Sequence, residues 1–131
     1  MGYTVYWNRT EKAITEEFVR EVKNIIDRAI ANGIMIRGFD GTGEPVVTMD
    51  EIGFNGDKTR DVKLGCEACW FDNDEENIGF NFCKTREYPY DAVVKEVVNL
   101  ALKMGIVNEI RDDGYVEKLT DEQYITKYHR S

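Results

Sequence analysis

The chain has 131 residues and a mass of 15.2 kDa, which predicts a single domain over residues 1–131 with its own hydrophobic core. Hydrophobic residues make up 42% of the chain, which excludes a disordered tail. The net charge of -8 repels phosphate backbones and anionic lipid, and it disfavours nucleic acid and membrane surfaces as partners. No apolar run reaches the roughly 18 residues of a membrane span. The odd count of three cysteines favours a reducing interior over a secreted disulfide framework.

Strand patterns occur along most of the chain. The opening residues alternate β-formers, and short runs rich in Val, Ile and Phe follow between turn signals. Gly41 and Gly43 lie in the loop 39–45, and we assign them to turns because no helix opens after them, as a phosphate loop would require. The predicted strands are residues 2–7, 34–37, 46–48, 52–54, 61–71, 78–83 and 106–110.

Three helices are predicted from apolar residues at helical spacing and from capping signals. The first begins at Thr10 or Thr15 and ends at Asn32-Gly33, where glycine accepts a left-handed conformation. The second follows Pro89 and ends at Gly105, and it is apolar around most of its surface. A capping box formed by Thr120 and Gln123 opens a short C-terminal helix. The order of elements predicts an α+β domain: a mostly antiparallel sheet with two main helices packed on one face.

The segment 61–83 reads as a hairpin whose loop is residues 72–77. In this register Cys66 lies opposite Cys83, and one face of the pair is mostly apolar. We expect that apolar face to meet the helices, so Cys69 is predicted to be buried. The residues assigned to this face are Glu67, Cys69, Phe71, Ile78, Phe80 and Phe82.

The three cysteines leave several alternatives open. Cys66-x-x-Cys69 is half of a zinc pattern, but the second half is missing, and residues three apart in a strand point to opposite faces. A small zinc-binding domain would use Cys66, Cys69 and Cys83. A disulfide between Cys66 and Cys83 would also fit the hairpin. Three ordinary thiols, some of them buried, are the favoured interpretation.

A polar cluster is predicted at one end of the sheet. Lys84 next to Cys83 could favour a thiolate, although neighbouring strand residues point apart. No interior histidine is present to act as a base, so we assign no catalytic residue and predict no cofactor and no metal. The cluster would bind a small ligand or peptide, or would simply hydrogen-bond strand ends. The candidate ligand-binding residues are Asn55, Glu67, Cys83, Lys84, Thr85 and Asp91.

The motifs GYTVYW, DGTGEP, FNG, CEACW, FNFCKTREYPYD and a later DDG span residues 2–115. This set resembles an uncharacterised family of small proteins from bacterial viruses, integrated viral segments and archaeal viruses. The sequence departs from the family where Val5 and Cys66 replace histidines, which weakens any metal or acid–base site carried over. Cys69 replaces a phenylalanine, which fits a core position. The positions that match the family's motifs are Asn55, Glu67, Cys83, Lys84, Thr85, Pro89, Tyr90 and Asp91.

The resemblance implies a viral accessory protein in the host cell cytoplasm, from a family with no assigned activity. Together with the acidic charge and the incomplete catalytic set, it predicts a non-enzymatic interaction domain that contacts a protein partner. One alternative is an enzyme or small-ligand binder that uses Glu67, Cys83, Lys84 and Thr85. The second alternative is the zinc-binding domain. The partner and the oligomeric state are left open.

Overall fold

The structure is a computed structural model that describes residues 3–129. Its helices are α1 (Glu16–Ala31), α2 (Asp91–Lys103) and α3 (Asp121–Tyr128). Its strands are β1 (Thr4–Arg9), β2 (Ile36–Arg37), β3 (Val46–Val47), β4 (Glu51–Gly56), β5 (Cys69–Asp72), β6 (Gly79–Lys84) and β7 (Val107–Asp112). The predicted α+β class with a short C-terminal helix is confirmed. The opening strand begins at Thr4, and Gly2, which the sequence placed in it, lies outside the described residues.

The strands form two antiparallel sheets. In the first sheet β1 is central and β6 and β7 flank it. In the second sheet β4 is central and pairs with β2, β3 and β5. Strands β3 and β4 form a hairpin and are joined by a three-residue connection.

The core lies between the sheets and helices α1 and α2. Phe18 and Val22 project from α1 into it and are fully buried, as helical spacing predicts. The two sheets share this core, because Trp7 of β1 stacks on Phe71 of β5 with ring centroids 5.5 Å apart. Within residues 3–129, no helix is long and apolar enough to cross a membrane.

The predicted helix ends are confirmed. The Thr15 side chain accepts a hydrogen bond from the Phe18 amide at 3.1 Å, so α1 is capped by Thr15 and not by Thr10. The capping box of Thr120 and Gln123 is complete at the start of α3. These ends are encoded by neighbouring residues, which is why the sequence located them.

The predicted hairpin over residues 61–83 is wrong. Residues 61–68 are not a strand, β5 pairs with β4, and β6 pairs with β1. Phe71 therefore lies opposite Ile52, and Cys83 lies opposite Val5. Both strands found partners that are distant in sequence, and a local pattern of alternation contains no information about such partners.

The predicted apolar face is consequently wrong for β6. Cys69 and Phe71 are buried as expected, but Phe80 and Phe82 are 70% and 53% exposed. Cys83 pairs with the core residue Val5, so its side chain points to the helices and its neighbours in the strand point away. Ile78, just before β6, is also exposed.

Candidate functional site

Glu67 lies where the two sheets meet. Its backbone amide donates to the Lys84 carbonyl at 3.1 Å, and its carboxylate accepts from the Lys84 amide at 2.7 Å. Its carbonyl accepts hydrogen bonds from the Cys83 thiol at 3.3 Å and from the Tyr90 hydroxyl at 2.7 Å. The loop before β5 is thus attached to the end of β6, so the structure brings together three of the predicted site residues: Glu67, Cys83 and Lys84.

Asn55 holds the same loop from the other side. Its side-chain amide donates to the carbonyls of Phe39 and Cys66 at 3.0 and 3.1 Å. Its side-chain oxygen accepts from the amides of Gly56 and Cys66 at 2.8 and 3.0 Å. Both amide protons and both lone pairs of this buried side chain are used within the protein, which makes Asn55 a joint between β4 and the loop.

Thr85 and Asp91 form a second buried pair at the start of α2. The Thr85 hydroxyl donates to Asp91 at 2.7 Å, and Lys95 forms an ion pair with the other carboxylate oxygen at 3.0 Å. Lys95 also lies 4.7 Å from the centre of the Tyr3 ring. A carboxylate in the first helical turn is stabilised by the helix dipole. All six candidate residues have defined positions here, and their role in ligand binding stays a prediction.

The thiols are not arranged for nucleophilic chemistry. Burial raises the pKa of the Cys83 thiol, and burial raises the pKa of Cys69 well above its usual value. Cys83 is fully buried, and its proton is donated to a backbone carbonyl rather than to a base. A thiolate mechanism at Cys83 therefore has no support in this geometry.

All three cysteines are free, so the disulfide considered between Cys66 and Cys83 is not formed. Across residues 3–129, no group of three or more His, Cys, Asp or Glu side chains is placed to hold a metal ion. The zinc alternative gains no support from the structure.

The exposed side of the first sheet carries a cluster of aromatic rings. We call the outward side chains of Tyr6, Phe80 and Phe82 the open aromatic face. The Phe80 ring lies 5.9 Å from Tyr6 and 5.8 Å from Phe82, measured between centroids. A cavity of about 410 Å³ lies beside Tyr6 and Phe80, and Glu109 and Arg111 of β7 contribute to its lining. Sheet faces of this kind are unusual in solvent, because large apolar side chains gain more from burial than from exposure.

The open aromatic face was not predicted from the sequence. The signal was present in GFNFCK, where two phenylalanines alternate with Asn81 and Cys83. Alternation shows that Phe80 and Phe82 lie on the same side of the strand. Because Cys83, on the other side, is also apolar, the sequence did not decide which side faces the core. Tyr90, whose hydroxyl joins Glu67 to Lys84, was identified only as a motif position.

A comparison of the chain with known protein families, with curated proteins and with solved structures finds no significant match. The viral resemblance stays a prediction.

Proposed function

We propose that this chain is a non-enzymatic interaction domain that binds a protein partner through the open aromatic face. The main support for the proposal is that Phe80 and Phe82, which are neighbours on this face, are 70% and 53% exposed to solvent. A contiguous exposed apolar surface is typical of interaction sites, because the unfavourable free energy of exposing it to water is removed when a partner covers it.

The chemistry around the open aromatic face favours a protein over a nucleic acid. Stacked aromatic rings on a sheet can also bind bases, but such surfaces combine stacking with a positive groove. Here Arg111 is paired with Glu109 at 3.1 Å, and the whole chain carries a net charge of -8. A partner that offers apolar side chains fits this surface better than a phosphate backbone does.

The interior of the polar cluster supports a non-enzymatic role. Asn55, Thr85 and Asp91 are buried and hydrogen-bonded within the protein, as a structural joint requires. Burial keeps the Cys83 thiol protonated, which argues against the alternative of an enzyme that uses this segment.

The further proposal of a viral accessory protein in the host cell cytoplasm rests on the motifs that resemble the viral family, in particular FNFCKTREYPYD. The free thiols fit a reducing compartment of that kind.

Site-specific photo-crosslinking tests the proposed surface. A benzophenone amino acid is placed at position 80 in protein made in its natural host cell, and a matched probe is placed at Tyr115, which is 85% exposed on a loop. We expect a discrete protein adduct from position 80 and only weak, diffuse products from position 115. Equal adducts at both positions, or none at position 80, would contradict the proposal. Tight binding of a fluorescein-labelled single-stranded oligonucleotide, measured by fluorescence anisotropy and lost in the Phe80→Ser variant, would favour a nucleic-acid partner instead.

A further inference from the structure

Strand β7 is an edge strand with an open side. Across residues 3–129, β1 is the only strand that pairs with β7. The opposite edge of this sheet differs, because Glu67 occupies the end of β6 through hydrogen bonds to Lys84. Unpaired amides and carbonyls along an edge can accept another strand, and proteins often place charges there to prevent it. The order of charges along β7 decides in which register another strand can pair with it.

We propose that β7 pairs antiparallel with β7 of a second copy of this chain, in the register centred on Ile110. In that register Glu109 of each copy lies opposite Arg111 of the other. The strand sequence VNEIRD thus provides two pairs of opposite charge across one two-fold axis.

Neighbouring registers are disfavoured by the same charges. A two-fold axis perpendicular to the sheet must pass midway between the two copies of one residue, since facing residues have to point to the same side. Centring the pair on Glu109 places two carboxylates opposite each other, and centring it on Arg111 places two guanidinium groups opposite each other. A centre at Asp112 again opposes two carboxylates, and a centre at Asn108 brings no opposite charges together. Only Ile110 combines two attractive pairs with an apolar pair at the axis.

The side chains already have suitable positions. Glu109 and Arg111 form a 3.1 Å ion pair along the strand, with their side chains 58% and 75% exposed. Ile110 lies opposite the buried Trp7 and is half-buried against the core, so a second copy of Ile110 would extend an existing apolar layer. The ladder irregularity between Asn8 and Arg9 falls beside Asn108 and leaves the stretch 109–112 regular.

Pairing of this kind makes one six-stranded sheet. The two-fold axis is perpendicular to the sheet, so both open aromatic faces lie on the same side and the helices of both copies on the other. The inference goes beyond the proposed function and does not depend on it, because the two copies would meet through the outer backbone edge of β7. The proposed partner would instead contact the rings of Tyr6, Phe80 and Phe82, although Glu109 and Arg111 line the cavity beside Tyr6 and Phe80. In the dimer, the partner would contact two open aromatic faces on the same side of one six-stranded sheet.

Charge reversal tests the register. Glu109→Arg and Arg111→Glu each place like charges opposite, and we expect each to weaken association at least tenfold, as measured by sedimentation equilibrium over a concentration series. The double variant E109R/R111E exchanges the partners and should restore association to near the level of the unchanged protein. Glu44→Arg and Lys23→Glu are the controls, because they alter exposed residues outside β7 and its neighbouring elements by the same charge. They should leave association unchanged.

Several results would overturn the proposal. A monomer at every concentration up to the millimolar range in low salt would do so. A double variant as weak as the single variants would also refute the register. In a Cys66→Ser background, Ile110→Cys should be cross-linked to its own copy by a short bismaleimide, because the two residues meet at the axis. Cross-linking no faster than for Asn99→Cys, which is exposed on α2, would refute the pairing even if dimers form by another surface.

Discussion

Single side chains at the sheet junction are held by hydrogen bonds rather than left free for chemistry. Cys83 is an example, because its thiol and the Tyr90 hydroxyl both donate hydrogen bonds to the Glu67 carbonyl. A buried thiol without a base is protonated at neutral pH. The reactivity of the Cys83 thiol is therefore limited both by its burial, which keeps reagents out, and by its raised pKa, which keeps it protonated.

Thiol labelling should separate the three cysteines. In the native protein at pH 8, iodoacetamide should modify only Cys66, which is partly exposed, because Cys69 and Cys83 are fully buried. After unfolding in guanidinium chloride, all three should react at similar rates. Intact-protein and peptide mass spectrometry measures the count and the positions. Rapid native labelling of Cys83 would show that this thiol is activated and would revive the enzyme alternative.

Asp57 provides a second prediction at the scale of one residue. Burial by itself would raise the pKa of Asp57, but hydrogen bonds from Thr59 and the guanidinium of Arg37 outweigh it and lower that pKa below its usual value. The folded protein then binds this proton less readily than the unfolded chain. The resulting stabilisation is complete above the unfolded pKa, about 3.9, and is lost as the pH falls through the folded pKa.

We expect Asp57→Asn to lower the free energy of unfolding by about 1–2 kcal/mol at pH 7. The difference from the unchanged protein should shrink at pH 2.5, where Asp57 is itself protonated. Urea unfolding at both pH values measures this. Asp27→Asn, on the exposed side of α1, is the control and should change stability by under about 0.5 kcal/mol. A deficit at pH 2.5 as large as that at pH 7 would show that the charge of Asp57 contributes nothing.

At the scale of elements, the connection between β6 and α2 is a tight turn. Arg86 and Glu87 have φ angles of 56° and 64°, in the left-handed region that favours glycine. The Tyr88 amide donates a hydrogen bond to the Thr85 carbonyl at 3.1 Å and closes the turn. The backbone amides of Thr85 and Arg86 both donate to the backbone carbonyl of Tyr3. These bonds maintain a backbone that the two residues would not adopt alone.

Glycine at this turn should stabilise the protein. Glu87→Gly is expected to raise the free energy of unfolding by up to about 1 kcal/mol, because it removes a steric cost that exceeds the added chain entropy. Lys23→Gly, in the exposed middle of α1, should instead lower it by about 1 kcal/mol. Chemical denaturation of the two variants beside the unchanged protein gives both numbers. A loss of stability in Glu87→Gly would mean that the Glu87 side chain contributes more than the strain costs.

At the scale of the whole molecule, the open aromatic face and the core should respond differently to the same substitution. The double change Phe80→Ser and Phe82→Ser should alter the free energy of unfolding by less than about 1 kcal/mol, because these rings lie mostly in solvent. Phe54→Ser, at a fully buried ring of β4, should cost about 3–5 kcal/mol. Thermal and urea unfolding test the contrast. A large loss from the double change would mean that the face serves folding, and it would remove the main support for the interaction proposal.

The features that were predicted correctly from the sequence are those that depend on neighbouring residues. The caps at Thr15 and Thr120 and the helical stripe of α1 depend on residues a few positions apart, so they could be located without tertiary contacts. Burial of Cys69 was also predicted, although from a register that proved wrong. Of the candidate site, the sequence placed Glu67 near Cys83, but it did not predict the loop geometry or the role of Asn55 that creates this contact.

The sequence by itself determined the α+β class, the three helices and their ends, because these depend on local spacing, capping and breakers. Tertiary structure decided which strands pair and which side of β6 meets the core. Phe80 and Phe82 alternate with Asn81 and Cys83, so the strand could have been buried on either side until β1 provided Val5 as the partner of Cys83. That long-range pairing left the two phenylalanines in solvent and the open aromatic face available to a partner.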